Sequence, residues 1–196
     1  MAYNWQNVYE QALPYQEFLQ KYATHEHQRR WQGVYEQVVL TAEQKALLSG
    51  FVRKMHVLCL AGPWCGDCVN ACPIFQRIAE ASPAISLRFV NRPQQFDPQA
   101  SDLQTAVANE LMICGGPRVP VLVFISEDWF ECERFGERTL ATYRHKVASL
   151  SGASCPTGLF APPTDLLAAN IAEWLGHFER VQLMLLTSPR LMSLHR

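Results

Sequence analysis

A pair of cysteines at the junction between an apolar run and a helix constrains this chain more than any other feature. The apolar run HVLCLA begins at His56 and is typical of a strand that is buried on both faces. Gly62 and Pro63 end this run, and Cys65 and Cys68 follow in the segment WCGDC. The next residues keep apolar side chains on one helical face. The sequence therefore predicts a strand, a loop and a helix, with both thiols at the start of the helix.

This position favours thiol chemistry. Cys65 lies where the backbone N–H groups of the helix are unpaired and the helix dipole is positive. Such an environment lowers the pKa of a thiol from its usual value of about 8.5 and raises the fraction of nucleophilic thiolate at neutral pH. Cys68, nearly one helical turn later, is close enough to attack a mixed disulfide held on Cys65. The spacing thus suits a two-step thiol–disulfide exchange.

The chain after the cysteine pair alternates between helices and strands. ISLRFVN predicts a second strand, and Ser101 is a suitable cap for a helix that runs to roughly Leu111. A strand opens at Pro120 after a glycine-rich turn, and WFECERFG is expected to be its antiparallel neighbour. The order from His56 to Leu150 is therefore β, α, β, α, β, β, α, in which the first β–α–β unit has parallel strands.

These features together resemble the thioredoxin superfamily. The resemblance rests on WCGDC at a helix start within a β–α–β unit, and on Val119-Pro120 opening a later strand. Pro73, eight residues after Cys65, also falls where thioredoxins have a proline that kinks the helix. The resemblance covers about residues 52–150. It implies an α/β, thioredoxin-like fold, with a central mixed four-stranded sheet flanked by helices and extra helices at both termini.

The resemblance also implies roles for particular residues. Cys65 would be the attacking thiol and Cys68 the resolving thiol, while Trp64 would cover the site. The Val119–Pro120 peptide bond would be cis, which exposes the neighbouring backbone groups for pairing with an extended substrate segment.

Three further residues are expected to support the site. Arg118 would face it, and could attract an acidic substrate segment or favour the thiolate, although a solvated arginine is the simpler alternative. Gly66 allows a partner's backbone to approach closely. Asp67 stands between the cysteines where thioredoxins have a proline. Its negative charge opposes ionisation of the neighbouring thiols. Asp67 itself lies in the first helical turn, where the helix dipole favours negative charge, and this partly offsets the effect.

Two more cysteines depart from the thioredoxin pattern. Thioredoxins have a buried acidic residue six positions before the first cysteine, and it helps to move the proton of the resolving thiol. Here that position is Cys59, so water, Asp67 or another group must do this work. Cys72 follows Cys68 by four residues on the same helix face. Cys59 and Cys72 are either small core residues or auxiliary thiols.

Two other functions compete with redox chemistry. One is a zinc–thiolate site, although one strand and one continuous helix converge poorly on a tetrahedron. Its ligands would be Cys59, Cys65, Cys68 and Cys72. The six histidines show no metal-ligand spacing together with the cysteines. The other alternative is a thioredoxin-fold docking module with little redox activity. The preferred interpretation needs no metal and no bound cofactor.

The chain outside the thioredoxin-like region is expected to be helical. Residues 1–54 predict a helical N-terminal extension, and residues 55–150 form the thioredoxin-like domain. Residues 151–196 comprise a linker, SGASCPTGLFAPP, and an amphipathic helix of roughly 22 residues that packs on the domain.

The net charge and the cysteine content indicate which partners and which cellular compartment to expect. The formal net charge is −1 and no long run of like charge occurs, which argues against binding to nucleic acid or to a membrane surface. Seven cysteines without a signal-peptide pattern favour a reducing, cytoplasmic location. We therefore expect a thiol–disulfide oxidoreductase that reduces protein or small-molecule disulfides, with an upstream dithiol reductase as its partner.

Overall fold

A computed structural model describes residues 3–94, 100–148 and 164–194. These residues form four strands and nine helices. The helices are α1 (Trp5–Gln11), α2 (Tyr15–Tyr22), α3 (His25–Gln37), α4 (Ala42–Ser49), α5 (Gly66–Glu80), α6 (Asp102–Glu110), α7 (Leu140–Ala148), α8 (Thr164–Leu186) and α9 (Pro189–Leu194). The predicted linker, including Cys155, lies outside the described residues.

A mixed four-stranded sheet occupies the centre, with the strand order β2-β1-β3-β4. The strands are β1 (Met55–Ala61), β2 (Ile85–Asn91), β3 (Val121–Ser126) and β4 (Glu131–Gly136). β1 pairs with β2 in parallel across the connection made by α5, whereas the pairs β1–β3 and β3–β4 are antiparallel. The prediction of a thioredoxin-like α/β fold with helices around a mixed sheet is confirmed.

The N-terminal helical region contains four helices within residues 4–54. Thr24 and Thr41 cap α3 and α4, and each hydroxyl accepts a hydrogen bond from the backbone N–H three residues later. The N–H of Thr41 donates in turn to Oε1 of Gln44, which completes the capping box that the spacing of these two residues predicts. These caps satisfy N–H groups that the helix cannot pair internally.

Aromatic side chains join the helices to the sheet. On one side, α2 packs against β2 and α3 packs against α5. Phe18 of α2 lies 5.9 Å from Trp31 of α3 and 5.3 Å from Phe89 of β2, measured between ring centroids. On the other side, α8 packs against β4 and α5, and the ring of Trp174 meets Phe75 edge-on at 4.5 Å. No helix within the described ranges is both long and apolar enough to span a bilayer.

One N-terminal side chain reaches the loop that precedes the cysteine pair. Trp31 is fully buried, and its indole N–H donates a hydrogen bond of 3.0 Å to the carbonyl oxygen of Pro63. Pro63 stands two residues before Cys65. The helix α3 therefore helps to fix the path of the chain into the site.

Replacing Trp31 with Phe removes this indole N–H and leaves the buried carbonyl of Pro63 unpaired. An unpaired buried carbonyl costs about 1–3 kcal/mol, so we expect urea titration to show a fall of that size in the free energy of unfolding. Tyr35→Phe is the control, because it removes an exposed hydrogen bond to Glu80 and should cost less. Equal losses in the two variants would contradict a special role for the bond to Pro63.

Candidate active site

Cys65 sits at the first turn of α5, where its thiol is only half-buried. It is the N-cap residue of the helix, with extended backbone dihedrals of φ −80° and ψ 127°, and its side chain makes no capping hydrogen bond. The sulfur instead lies 3.7 Å from the carbonyl oxygen of Val119, to which the thiol can donate when its proton is not directed at Cys68. Gly66 follows as the first helical residue and is buried. The sulfur of Cys65 thus faces the chain segment that enters β3.

Cys68 lies below Cys65 and is fully enclosed. Its sulfur accepts a hydrogen bond of 3.4 Å from the backbone N–H of Gly62, and its side chain is also hydrogen-bonded to Cys65. Both cysteines are free thiols in this structure. Because Cys65 is the more accessible of the two, an incoming sulfur meets Cys65 first, and Cys68 can react only with a group already held there.

The surroundings of Cys68 favour its charged form. Burial would raise the pKa of its thiol, but hydrogen bonds from Cys65, from Cys72 and from the N–H of Gly62 outweigh burial and lower the pKa of Cys68 to about 6. Cys65 and Cys68 share a hydrogen bond, so the two thiols titrate as a coupled pair. The helix N-terminus at Cys65 also favours negative charge on this pair. The surroundings of the pair therefore favour a thiolate.

Cys59 and Cys72 form a second thiol pair beneath the first. Their sulfurs are 3.9 Å apart, and both side chains are completely buried. Burial, followed by hydrogen bonds with Cys59 and Cys68, raises the pKa of Cys72 well above that of an ordinary thiol. Cys72 therefore keeps its proton and is a donor toward Cys68. The structure brings both predicted auxiliary thiols to the site, although neither is reached by solvent.

Asp67, between the two site cysteines, is buried and paired with two cations. Its carboxylate accepts hydrogen bonds from Arg138 at 2.5 Å and from Lys146 at 3.2 Å. Like charge on Asp67 alone would raise the pKa of a neighbouring thiol. The positive charges of Arg138 and Lys146 offset this effect. The sequence pattern does not reveal these ion pairs, because both cations lie far from Asp67 along the chain.

A second buried carboxylate extends these ion pairs to the β3 side of the site. Glu137 accepts hydrogen bonds from Arg118 and Arg138, each at 2.5 Å, and from the hydroxyl of Tyr143 at 2.8 Å. Arg138 thus bridges Glu137 and Asp67. We refer to these ion-paired side chains as the charged cluster, which consists of Asp67, Arg118, Glu137, Arg138 and Lys146.

The segment that carries Arg118 is held close to β4. The Val119–Pro120 peptide bond is cis, and so is the bond between Gly136 and Glu137. A Cβ atom on Gly136 would lie 2.6 Å from the carbonyl oxygen of Pro120, a distance that real Cβ atoms do not adopt. Glycine is therefore required where β4 passes this segment.

Trp64 covers the loop before Cys65. Its indole ring lies so near Gly62 that a Cβ atom there would be 2.7 Å from the ring. The guanidinium of Arg92 lies over the same ring, 5.1 Å from its centroid. Trp64 follows β1 and Arg92 follows β2, so their contact joins the chain beyond the ends of these two strands.

The family of the chain follows from a comparison with known families. A thioredoxin family model matches residues 12–145, well over half of the chain. The chain belongs to the thioredoxin family. The match begins in the N-terminal helical region and ends in α7, so it extends beyond the region that carries the sequence resemblance.

Two solved structures share this fold over nearly the whole chain, including the helical regions at both ends. A protein of unknown function from Pseudomonas aeruginosa superposes with a TM-score of 0.61 at 17% identity, over 95% of this chain and 97% of that one. An HIV epitope scaffold superposes with a TM-score of 0.58, also at 17% identity, over 93% of each chain. No curated protein matches the sequence. At this identity the likeness shows the fold alone.

In this thioredoxin-family chain, the functional residues that sequence reasoning missed are charged side chains far from the cysteine motif. Arg92, Glu137, Arg138 and Lys146 belong to no recognisable pattern, and only the fold brings them to the site. Across the described ranges, no cluster of three or more His, Cys, Asp or Glu residues is arranged to hold a metal ion. The geometry therefore gives the zinc alternative no support.

The charged cluster should set the acidity of the cysteine pair. Arg138→Met removes a cation from Asp67 and Glu137, so we expect the pKa of the cysteine pair to rise by about one unit. Asp67→Asn removes a negative charge and should lower it. The pH dependence of alkylation by iodoacetamide, read by mass spectrometry of the peptide that carries Cys65 and Cys68, measures both shifts.

Arg180→Met is the matched control for this experiment. Arg180 lies on α8, is largely exposed and forms an ion pair with Glu133 of β4 at a nitrogen–oxygen distance of 3.0 Å. Neither residue belongs to the charged cluster. The loss of Arg180 should leave the pKa of the cysteine pair unchanged. If Arg138→Met behaves like Arg180→Met, the charged cluster does not influence the thiols.

Proposed function

We propose that this chain is a thiol–disulfide oxidoreductase that reduces disulfides in proteins or small molecules. The observation that carries the proposal is the geometry of Cys65 and Cys68. A half-buried thiol stands at a helix N-terminus, directly above a buried thiol whose pKa is lowered to about 6. This arrangement supplies one accessible nucleophile and one enclosed resolving group.

The proposed reaction has two exchange steps. The thiolate of Cys65 attacks one sulfur of the substrate disulfide, and the other sulfur leaves as a thiolate that takes up a proton. Cys68 then attacks the sulfur of Cys65 in the mixed disulfide, which releases the second substrate thiol. The substrate gains two electrons and two protons, and the protein is left with a Cys65–Cys68 disulfide.

The segment entering β3 is the proposed binding site for the substrate backbone. The carbonyl oxygen of Val119 lies 3.7 Å from the sulfur of Cys65, so a peptide attached to Cys65 passes directly beside it. An extended peptide that pairs with the backbone near Val119 would hold its own sulfur in place. Trp64 and Gly66 flank Cys65 in the chain. The half-buried ring of Trp64 would be an apolar wall beside the peptide, and Gly66, which has no side chain, would allow its backbone to approach.

The resolving step does not require a carboxylate on β1. Thioredoxins place an acidic residue where this chain has Cys59. Here the hydrogen bonds from Cys72 and Gly62 favour the thiolate form of Cys68 without a proton acceptor beside it. We assign Cys72 as a positioning residue that stabilises the resolving thiolate, with Cys59 in contact behind it.

The direction of the reaction depends on an external electron donor. We propose that an upstream dithiol reductase restores the dithiol, because the exchange itself needs no bound cofactor. Reduction of disulfides fits a cytoplasmic location, where the glutathione pool keeps thiols reduced.

Serine variants separate the proposed roles. Cys65→Ser should abolish turnover of a disulfide peptide in the presence of dithiothreitol, because no accessible nucleophile remains. Cys68→Ser should accumulate a mixed disulfide with the peptide, visible as an added mass on Cys65. Cys132→Ser is the control, since burial raises the pKa of that thiol to about 11 and keeps it unreactive. Full activity of both site variants would disprove the role assignment.

A glutathione redox titration tests the pairing of the thiols. We expect a reversible Cys65–Cys68 disulfide with a potential of roughly −220 to −320 mV, read by thiol trapping and peptide mass mapping. Cys59 and Cys72 should stay reduced, because both thiols are completely buried and burial raises the pKa of Cys72. If no Cys65–Cys68 disulfide forms, the docking-module alternative replaces the proposed function.

A further inference from the structure

We propose that the site selects disulfides flanked by acidic residues, and that Arg118 binds the acidic side chain of the substrate. This inference rests on the oxidoreductase function proposed above, and it adds a substrate class. The ligand is a carboxylate on the residue next to the substrate cysteine, in a protein or a peptide. Three features support this assignment: the position of Arg118 beside Val119, its ion pair with Glu137, and the exposure of the cations around it.

Arg118 lies next to the position that a substrate chain must occupy. Cys65 contacts the carbonyl oxygen of Val119, and Arg118 is the preceding residue. A peptide attached to Cys65 and extended along this segment therefore brings a residue that flanks its cysteine within reach of the guanidinium.

The guanidinium of Arg118 is fixed before a substrate arrives. Glu137 accepts its hydrogen bond at 2.5 Å, while 43% of the Arg118 side chain stays exposed and only 5% of Glu137 does. Two other donors, Arg138 and the hydroxyl of Tyr143, also reach Glu137. An arginine that is already ordered loses little side-chain entropy when it binds a carboxylate, which increases the affinity it provides.

The charged cluster presents positive charge to solvent. It contains three cations and two carboxylates, and the extra cation is balanced by the enclosed thiolate of the cysteine pair. Both carboxylates are buried, whereas Arg118 and Lys146 expose 43% and 25% of their side chains. The whole chain carries a formal charge of −1, so this positive surface is a local property of the site.

A second arginine lies near the cysteine motif. Arg92 is half-buried, and its guanidinium lies 5.1 Å from the ring centroid of Trp64, the residue directly before Cys65. Arg92 adds to the positive charge near the site, whereas Arg118 is the cation beside the segment that contacts Cys65. Complementary charge at this position raises the rate of encounter with acidic substrates and weakens encounter with basic ones.

Two matched disulfide peptides test the proposal with the full chain. They differ only in the residue that flanks the cysteine, Glu in one and Gln in the other, and their rates of reduction are compared under dithiothreitol. We expect the Glu peptide to react roughly two- to fivefold faster, the range expected for one partly exposed ion pair. The preference should shrink as salt is added. Equal rates for the two peptides would overturn the proposal.

Variants of Arg118 test whether its guanidinium recognises the acidic side chain of the substrate. Arg118→Gln should remove the preference, Arg118→Lys should keep most of it, and Arg118→Glu should reverse it in favour of a Lys-flanked peptide. Arg180→Gln, which removes an exposed arginine from α8, should keep the preference. A preference that survives in Arg118→Gln and Arg118→Glu would overturn the assignment to Arg118.

The same experiment distinguishes failure of the oxidoreductase function from failure of the proposed recognition of acidic substrates. If the wild-type chain reduces neither peptide, the oxidoreductase function itself is wrong. If it reduces both at the same rate, only the recognition of acidic substrates is wrong. Urea titration of each Arg118 variant confirms folding, which we expect to persist because Arg138 and Tyr143 still donate hydrogen bonds to Glu137.

Discussion

The pairing of the buried carboxylate of Asp67 with Arg138 and Lys146 is the interaction on which the rest of the site depends. A bare carboxylate beside a thiolate would both resist burial and suppress the ionisation of the thiols. Breaking a buried ion pair by removing one partner typically costs about 3–5 kcal/mol, because the remaining charge stays buried. Once Asp67 is neutralised in this way, the start of α5 can hold a second negative charge on its cysteines.

The same ion pairs fix the relative position of three chain segments. Asp67 belongs to the start of α5, Arg118 to the segment that enters β3, and Arg138 to the connection between β4 and α7. Arg138 reaches both carboxylates, so a shift of one segment disturbs the partners on the other two. The start of α5, with its cysteine pair, and the segment that enters β3 are thereby held in register. A further tether, from Trp31 to Pro63, fixes the loop on the other side.

The sequence predicts those parts of the structure that depend on local pattern. The run HVLCLA, the cysteine pair and Val119-Pro120 are short segments whose conformations follow from neighbouring residues, and the sheet and the helix start were predicted from them. The partners of Asp67 are different, because nothing near Arg138 or Lys146 marks them as site residues. Their role depends on where α7 docks, which is a property of tertiary packing. The breaks between α1, α2 and α3 were missed, because apolar spacing alone does not locate a cap, whereas the spacing of Thr41 and Gln44 predicts the start of α4.

The replacement of a buried acid by thiols changes how such a site responds to its surroundings. A carboxylic acid next to the resolving cysteine would add a titration of its own, and the rate would then reflect at least two coupled ionisations. Cys72 keeps its proton throughout the neutral range, because burial raises the pKa of its thiol. The protonation of Cys72 therefore adds no second titration beside Cys68. The rate of exchange at such a site would follow the ionisation of the Cys65–Cys68 pair alone, without the contribution of a neighbouring acid.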